Sequence, residues 1–416
     1  MIMFSATVPS GIPSDLGGLA GEPWLSVAAF LLLVLQIPAV LILLTRLLQG
    51  PGRRPPLRPQ AVNSTHVGKV SVVVPTLNEA DRLQPCLDGL TRQGYEVREI
   101  LVVDSRSQDG TQELVKRSGV RDPRIRLLED DPLPPGWVGR PWALHNGFLQ
   151  SSPDSDWILG IDADTQPTPQ LAATLLRVAE DEQFDLITLS PRFILKFPGE
   201  WWLQPALLMT LVYRFGPAGG NNPPDRVMAN GQCCFCRRSL LVEMDGYSGA
   251  AQSFCDDVTL VRLAAQRGAK VGFLDGANLL KVRMYEGLKE TWQEWGRSLD
   301  LKDATTVTQL WGDLALLKLV QGAPLFWLVI LGLAYCLGSQ TLPITIALGL
   351  NFFLVVFRFG LQAAIRSSYD FETPSQGRWL FWLAPLADPL AVARIFLSAS
   401  QTPRQWRGRT YAKAIP

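Results

Sequence analysis

The apolar residues of this 416-residue chain are gathered toward its two ends, and that distribution limits the fold more than any other feature. Residues 25–44 are nearly all apolar, interrupted at Gln36 and Pro38, and about 20 such residues reach across the hydrocarbon core of a bilayer. After Gln321, residues 322–338 and 342–357 each approach that length, joined by Ser339-Gln340-Thr341, and a last apolar stretch covers 379–397. The middle of the chain has the composition of a soluble domain. Overall 47% of residues are hydrophobic and 19% charged, an apolar excess that the end segments absorb. The chain is expected to divide into an N-terminal membrane anchor (1–50), a Pro/Arg-rich linker (51–68), a catalytic domain (69–306) and a C-terminal membrane region (307–416).

Flanking charge sets an expected orientation. Asp15 and Glu22 precede the first segment and no base does, whereas Arg46, Arg53, Arg54 and Arg58 follow it. A signal peptide carries its positive charge in front, so this segment reads as an anchor whose C-terminal end is cytoplasmic, with the following domain on the same side. The pair 322–338 and 342–357 reads as a hairpin returning to that side, where Arg358 and Arg366 follow. Residues 379–397 contain Pro385, Asp388, Pro389 and Arg394 and precede the basic Arg404, Arg407, Arg409 and Lys413. An interfacial or re-entrant helix, with Trp379 and Trp382 at headgroup level, is therefore preferred there to a fourth span. With 39 basic and 38 acidic residues the net charge is +1, and nothing points to nucleic acid. Of the six cysteines, Cys233-x-x-Cys236 lacks a second ligand pair, and only His66 and His145 are present, so the thiols read as buried and reduced rather than as a zinc site.

From residue 70, short β-branched runs at 70–74, 99–103, 126–128, 157–161, 185–189 and 270–274 alternate with helical stretches. That spacing fits βα units and hence an α/β fold, a mostly parallel sheet with helices on both faces. Such sheets bind ligands beyond the carboxyl ends of their strands. Pro75-Thr76-Leu77-Asn78-Glu79 and Asp104-Ser105-Arg106-Ser107-Gln108-Asp109-Gly110-Thr111 stand there after the first two runs. Each can bind a base or ribose through its acid or cap the next helix, with plain turn chemistry as the alternative.

Asp162-Ala163-Asp164 ends the fourth run, and strand alternation turns both carboxylates to one side, where hard oxygens can converge on a divalent cation. The alternative is a pair of surface acids capping a helix that starts near Pro167. Asp256-Asp257 either serve as capping acids of a helix or supply a general base, Asp257 with Asp256 orienting it or acting in its place. Gly136-Trp137-Val138-Gly139-Arg140 offers Arg140 to a phosphate. Arg283-Met284-Tyr285 with Trp292-Gln293-Glu294-Trp295-Gly296-Arg297 can close over a bound ligand, or its tryptophans can pack at a membrane interface. Trp201, Trp202 and Leu207 offer either an apolar approach surface or core.

Over roughly 69–303 these motifs resemble family 2 glycosyltransferases of the GT-A fold. Asp162-Ala163-Asp164 matches the family's D-x-D, Asp256-Asp257 stands where the family usually has Glu-Asp, and Gln293-x-Trp295 partly matches Q-x-x-R-W. The resemblance implies that Pro75, Thr76, Asn78, Glu79, Asp104, Ser105, Asp109, Arg140, Asp162, Arg283, Gln293, Trp295 and Arg297 meet a UDP- or GDP-linked sugar. It also implies Mg²⁺ or Mn²⁺ on Asp162 and Asp164, and an inverting transfer with Asp257 or Asp256 as base. The Gly136–Ala143 loop, Ala229-Asn230-Gly231-Gln232 and Val282-Arg283-Met284-Tyr285 resemble the carotenoid- and hopanoid-associated branch of the family. That implies Trp201, Trp202, Asn230, Gly231 and Gln232 facing a lipophilic acceptor in the bilayer, a carotenoid hydroxyl. Three rivals remain: a polyprenyl-phosphate acceptor, which needs no strong base; a processive polysaccharide synthase, which needs a membrane channel and a full Q-x-x-R-W; and an inactive membrane scaffold, against which the retained acids count.

Overall fold

Val72 and Val74 pack on one side of a strand and Val73 on the other, all three fully buried, as period-two alternation requires of a strand covered on both faces. The computed structural model describes residues 23–48, 50–61, 64–220, 222–296 and 299–401, with 405–406 and 409–410. The N-terminal helix is α1 (Pro23–Leu47), and the strand just described is β1 (Val70–Thr76). There follow α2 (Ala80–Thr91), β2 (Val97–Asp104), α3 (Thr111–Arg121), β3 (Ile125–Glu129), α4 (Gly139–Gln150), β4 (Trp157–Ile161), β5 (Thr165–Pro167) and α5 (Leu171–Asp181). Next come β6 (Leu186–Ser190), β7 (Arg192–Phe193), α6 (Pro198–Phe215), β8 (Cys233–Arg237), α7 (Arg238–Glu243), α8 (Asp256–Gln266), β9 (Val271–Asp275), β10 (Leu280–Val282) and α9 (Gly287–Glu290).

The main sheet has the order β3-β2-β1-β4-β8-β6-β9, and β8 alone runs antiparallel to its neighbours. Helices α2, α3 and α5 cover one face, while α4, α7 and α8 cover the other. Helix α4 lies so close that a Cβ on Gly147 would sit 2.3 Å from Val73 Cγ1. All six anticipated runs are strands. The central β8 was not anticipated, because Cys233-Cys234-Phe235-Cys236 draws attention as thiols; in the fold these residues are strand core, with Phe235 stacked on Trp157 at 4.6 Å. The helix expected near Pro167 begins instead at Leu171. Residues Thr165–Pro167 pair with β10 in a second, three-stranded sheet, β5-β10-β7.

The C-terminal part contains α10 (Val307–Leu317), α11 (Pro324–Cys336), α12 (Leu342–Ala364) and α13 (Asp388–Ser400), the last continuing a 3₁₀ stretch, Arg378–Ala387. Three helical segments are long and apolar enough to cross a membrane: Trp24–Leu47, Leu342–Ser368 and Arg378–Ser400. The span expected at 322–338 takes another form. Helix α11 has 13 residues, short of the roughly 17 a span needs, and it forms one arm of a pair, Val307–Gly322 and Pro324–Cys336, bent by 48°. The polar residues that set 379–397 apart are satisfied inside the protein. Asp388 accepts from Arg358 Nε at 2.7 Å and from Gln321 Nε2 at 3.1 Å, and Arg394 Nε donates to the Trp292 carbonyl at 2.7 Å. Between α1 and α12, Gln36 and Asn351 exchange side-chain amide bonds of 2.9 and 3.0 Å. Asp15, Glu22, Arg404, Arg407, Lys413 and the Arg409 side chain, on which the expected orientation partly rests, lie outside the described residues.

Candidate active site

Strand pairing assembles the centre of the site. Because β4 and β8 are antiparallel neighbours with Ile161 opposite Cys233, the exit of β4 meets the entry of β8. Asp162 N–H accordingly donates to the Gln232 carbonyl at 3.3 Å. The first turn of α8 brings Asp256 and Asp257 to the same place. A cleft of about 620 Å³ results, lined by Arg140, both acids of each pair, Asn230, Gly231, Gln232, Gln293 and Trp295. The acid pairs thus share one cavity, together with the predicted acceptor loop.

Arg140, in the first turn of α4, joins them. Its Nε lies 3.0 Å and its Nη2 2.9 Å from Asp162 Oδ1, Nη1 donates to Asp256 Oδ2, and Nη2 donates to the Gly231 carbonyl at 2.6 Å. A Cβ at position 231 would stand 2.7 Å from Arg140 Nη2, so a side chain there would push the guanidinium out of this arrangement. Burial alone would lower the guanidinium's pKa; Asp162, Asp256 and Asp257 overcome that and raise it. Burial pushes Asp256 up to about 7, against the pull of Arg140, and raises Asp257 as well, although the Val258 and Gly231 N–H groups favour its ionised form. A carboxylate poised in this way can take up a proton near neutrality. Among the described residues no cluster of three or more His, Cys, Asp or Glu stands ready for a metal. No cysteine forms a disulfide among the described residues, and all but Cys336 are buried.

The loops after β1 and β2 are laced to each other. Asp104, fully buried, accepts from Ser107 N–H (2.9 Å), Ser107 Oγ (2.5 Å), Gln112 Nε2 (2.9 Å) and Thr76 Oγ1 (3.2 Å). Asn78 N–H donates to Ser107 Oγ, Gln108 N–H to Asn78 Oδ1, Glu79 N–H to Thr111 Oγ1, and Ala80 N–H to Asp109 Oδ2. Ser105 Oγ donates to Asp130 at 2.7 Å. Asn78 and Arg106 hold φ at 55° and 65°, a left-handed conformation that this lacing enforces. Pro75, Thr76, Asn78, Glu79, Asp104, Ser105 and Asp109 therefore form one preshaped rim at the strand ends, but none of them lines the acidic cleft. Arg82 intervenes, donating to the Met284 carbonyl at 2.8 Å and to Glu290 Oε1 at 3.0 Å.

Residues 284–295 form a strap over the cleft, with Met284, Tyr285, Glu290, Gln293 and Trp295 on its wall. Arg283 does not join them. Its guanidinium forms a two-pronged, buried pair with Glu200 (2.7 and 3.0 Å), so its expected contact with the nucleotide is replaced by a structural one. Trp201 is likewise corrected: it is fully buried against Tyr369, Phe371 and Phe381. Trp202 and Leu207 belong to a core cluster with Leu203 and Ala387, and none of Trp201, Trp202 and Leu207 lines the cleft. Trp137 and Trp142, both half-buried, pack around His145 at ring distances of 4.9 and 5.9 Å. Arg297 lies outside the described residues. Arg82, Glu290 and Arg394 hold the strap, an association that no sequence spacing signals.

Residues 71–244 match the family model "Glycosyl transferase family 2". The matched stretch runs from β1 to the end of α7, so that the mixed sheet covered on both faces and the acidic pair at the exit of β4 lie in a region similar to family 2 glycosyltransferases. It is 26% identical over 179 residues to the 4,4'-diaponeurosporenoate glycosyltransferase of Staphylococcus haemolyticus, covering 39% of this chain and 46% of that protein. It is 33% identical over 127 residues to the undecaprenyl-phosphate 4-deoxy-4-formamido-L-arabinose transferase of Yersinia pestis bv. Antiqua, covering 29% and 36%. Among solved structures, the mannosyltransferase PcManGT from Pyrobaculum calidifontis, in complex with GDP-Man and Mn²⁺, superposes with a TM-score of 0.46 and 19% identity over 84% of this chain and 100% of that one. The chain spans about a third to a half of the length of the curated relatives it matches.

Proposed function

We propose that this chain is a membrane-bound, inverting glycosyltransferase that moves a hexose or deoxyhexose from a UDP- or GDP-linked sugar to a hydroxyl of a lipophilic acceptor. In its narrow form the reaction is 2′-O-glycosylation of a myxol-type carotenoid. The observation that carries the proposal is the meeting of two acid pairs, 94 positions apart at their first members (256 against 162), with one buried arginine in a single cleft. Asp257 or Asp256 takes the proton of the acceptor hydroxyl while its oxygen attacks the anomeric carbon from the face opposite the departing nucleoside diphosphate, which inverts that centre. Arg140 supplies positive charge where the diphosphate leaves.

The donor set fits a divalent cation. Asp162 and Asp164 offer two hard carboxylates, and Mg²⁺ is commonly held by one or two carboxylates with substrate phosphates and water completing its shell. When bound, Mg²⁺ or Mn²⁺ neutralises charge on the leaving diphosphate. Support for the acceptor comes from the relative named for diaponeurosporenoate and from the apolar helices on both sides of the domain. The relative named for undecaprenyl phosphate favours a second reading, a polyprenyl-phosphate acceptor.

Full-length protein in detergent should release radiolabelled sugar from UDP-glucose or GDP-glucose, and Asp162→Ala should abolish that release; undiminished turnover in Asp162→Ala would sink the proposal. Asp257→Asn separates the two acceptors, because a phosphate nucleophile is already ionised. Full transfer to polyprenyl phosphate by that variant would favour the second reading.

A further inference from the structure

A second cavity, of about 500 Å³, lies on the membrane side of the domain. Its walls come from three directions: the last turns of α1 (Leu44, Leu47), the middle of α6 (Leu208, Val212) and the end of α12 (Phe357, Leu361). Helices α1 and α12 both belong to segments able to cross a bilayer, and both reach the cavity at their C-terminal ends, near Arg46 and just before Arg366. The cavity therefore sits where two apolar helices leave the hydrocarbon, at the depth from which a membrane-dissolved molecule can enter. Its lining is aliphatic and aromatic apart from Ser190, Ser368 and the pair Arg53–Asp275, 3.6 Å apart. Such a surface gives water few partners and suits hydrocarbon.

The cavity is also next to the chemistry. Leu211 and Met228 line both it and the acidic cleft, so one layer of side chains divides them. We infer that this cavity receives the hydrocarbon chain of the lipophilic acceptor from the bilayer, with the hydroxyl end passing Leu211 and Met228 to meet Asp256 and Asp257. The inference rests on the reading above. It moves the acceptor route from the Trp201 end of α6, which is core, about two turns along the helix to Leu208–Val212. An ordinary bilayer lipid in the same place would have no reason to prefer a cavity walled onto the acidic cleft.

The test uses full-length protein in micelles with a C20 isoprenoid alcohol bearing a terminal diazirine, photolysed and mapped by peptide mass spectrometry. Labels are expected on the peptides holding Leu44–Leu47, Leu208–Val212 and Phe357–Leu361, competed by unlabelled C20 alcohol but not by phosphatidylglycerol. They should be lost in Leu361→Trp and, independently, in Val212→Trp, each of which fills the space. Labelling spread along the outer faces of α1 and α12, insensitive to both substitutions, or equal competition by phosphatidylglycerol, would overturn the inference. Sugar release from nucleotide sugar is measured in parallel. Cavity labelling without any sugar release by wild type would defeat the transferase reading alone, whereas sugar release with labelling elsewhere would defeat the cavity alone.

Discussion

Replacing Arg140 with methionine tests the electrostatic centre of the site directly. The guanidinium is a buried cation holding two carboxylates, with side chains 14% exposed for Arg140, 8% for Asp256 and 27% for Asp162. Removing one partner of a buried pair costs about 3–5 kcal/mol, because the other charge is left uncompensated. The Asp162 arm, better solvated, adds less than about 1 kcal/mol. One escape limits the loss: Asp256, already pushed up to about 7, can take a proton once the arginine is gone. The net loss at pH 8 is therefore placed near the lower bound, about 3 kcal/mol, which for a domain of this size lowers Tm by about 6–12 °C. Thermal unfolding of the full chain in detergent measures it.

The pH dependence fixes the cause. A carboxyl whose folded pKa is raised contributes stability below its unfolded value, near 3.8, and loses it as pH rises through the folded value, about 7 for Asp256. At pH 6 the protonated acid needs the cation less, so the gap between wild type and Arg140→Met should narrow from its value at pH 8. A gap under about 2 °C at pH 8, or one that widens on acidification, would refute the account of Arg140 as counter-ion to the acids.

Turnover should fall as pH drops, with a midpoint well above that of an ordinary carboxylate near 4, because burial raises both Asp256 and Asp257; a pH–rate profile with its acid limb near 4 would contradict this. Arg283→Met should cost about 3–5 kcal/mol of stability through Glu200 and leave KM for the nucleotide sugar unchanged, the opposite of what a nucleotide-binding arginine would give. Gln36→Leu should destabilise the α1–α12 contact by about 0.6 kcal/mol, and adding Asn351→Leu should recover part of it, since the exchanged amides are then removed together. Denaturation of the single and double variants checks whether the two losses are simply additive, which would mean no coupling.

What could be read in the sequence was whatever an element announces by itself. Short β-branched runs mark six strands, because burial on both faces leaves a continuous apolar trace such as Val72, Val73 and Val74. The acids at 162, 164, 256 and 257 were legible because each pair ends or opens an element. Pairing was not legible. Arg283 and Arg140 are both arginines beside aromatic, glycine-containing stretches, yet one is consumed by Glu200 and the other reaches the cleft, and nothing within several residues of either says which. Phe235 and its neighbouring cysteines give no strand signal because a thiol run has no distinctive period, and Trp201 stays open to two readings in the sequence because large aromatics suit a core and a surface equally.

The partial Q-x-x-R-W carries the point furthest. Gln293 and Trp295 stand on the cleft wall, yet the arginine packed against this stretch is Arg394 of α13, which donates to the Trp292 and Gln293 carbonyls. Its chain crowds Gly296 so closely that a Cβ there would lie 2.4 Å from Arg394 Cγ. The cation thus comes from about a hundred residues downstream, on a segment long and apolar enough to cross a membrane. The strap is held from both sides, by Arg82 of α2 and by Arg394 of α13. A substitution of Arg394 can therefore reach the cleft through the strap, although Arg394 itself does not line it.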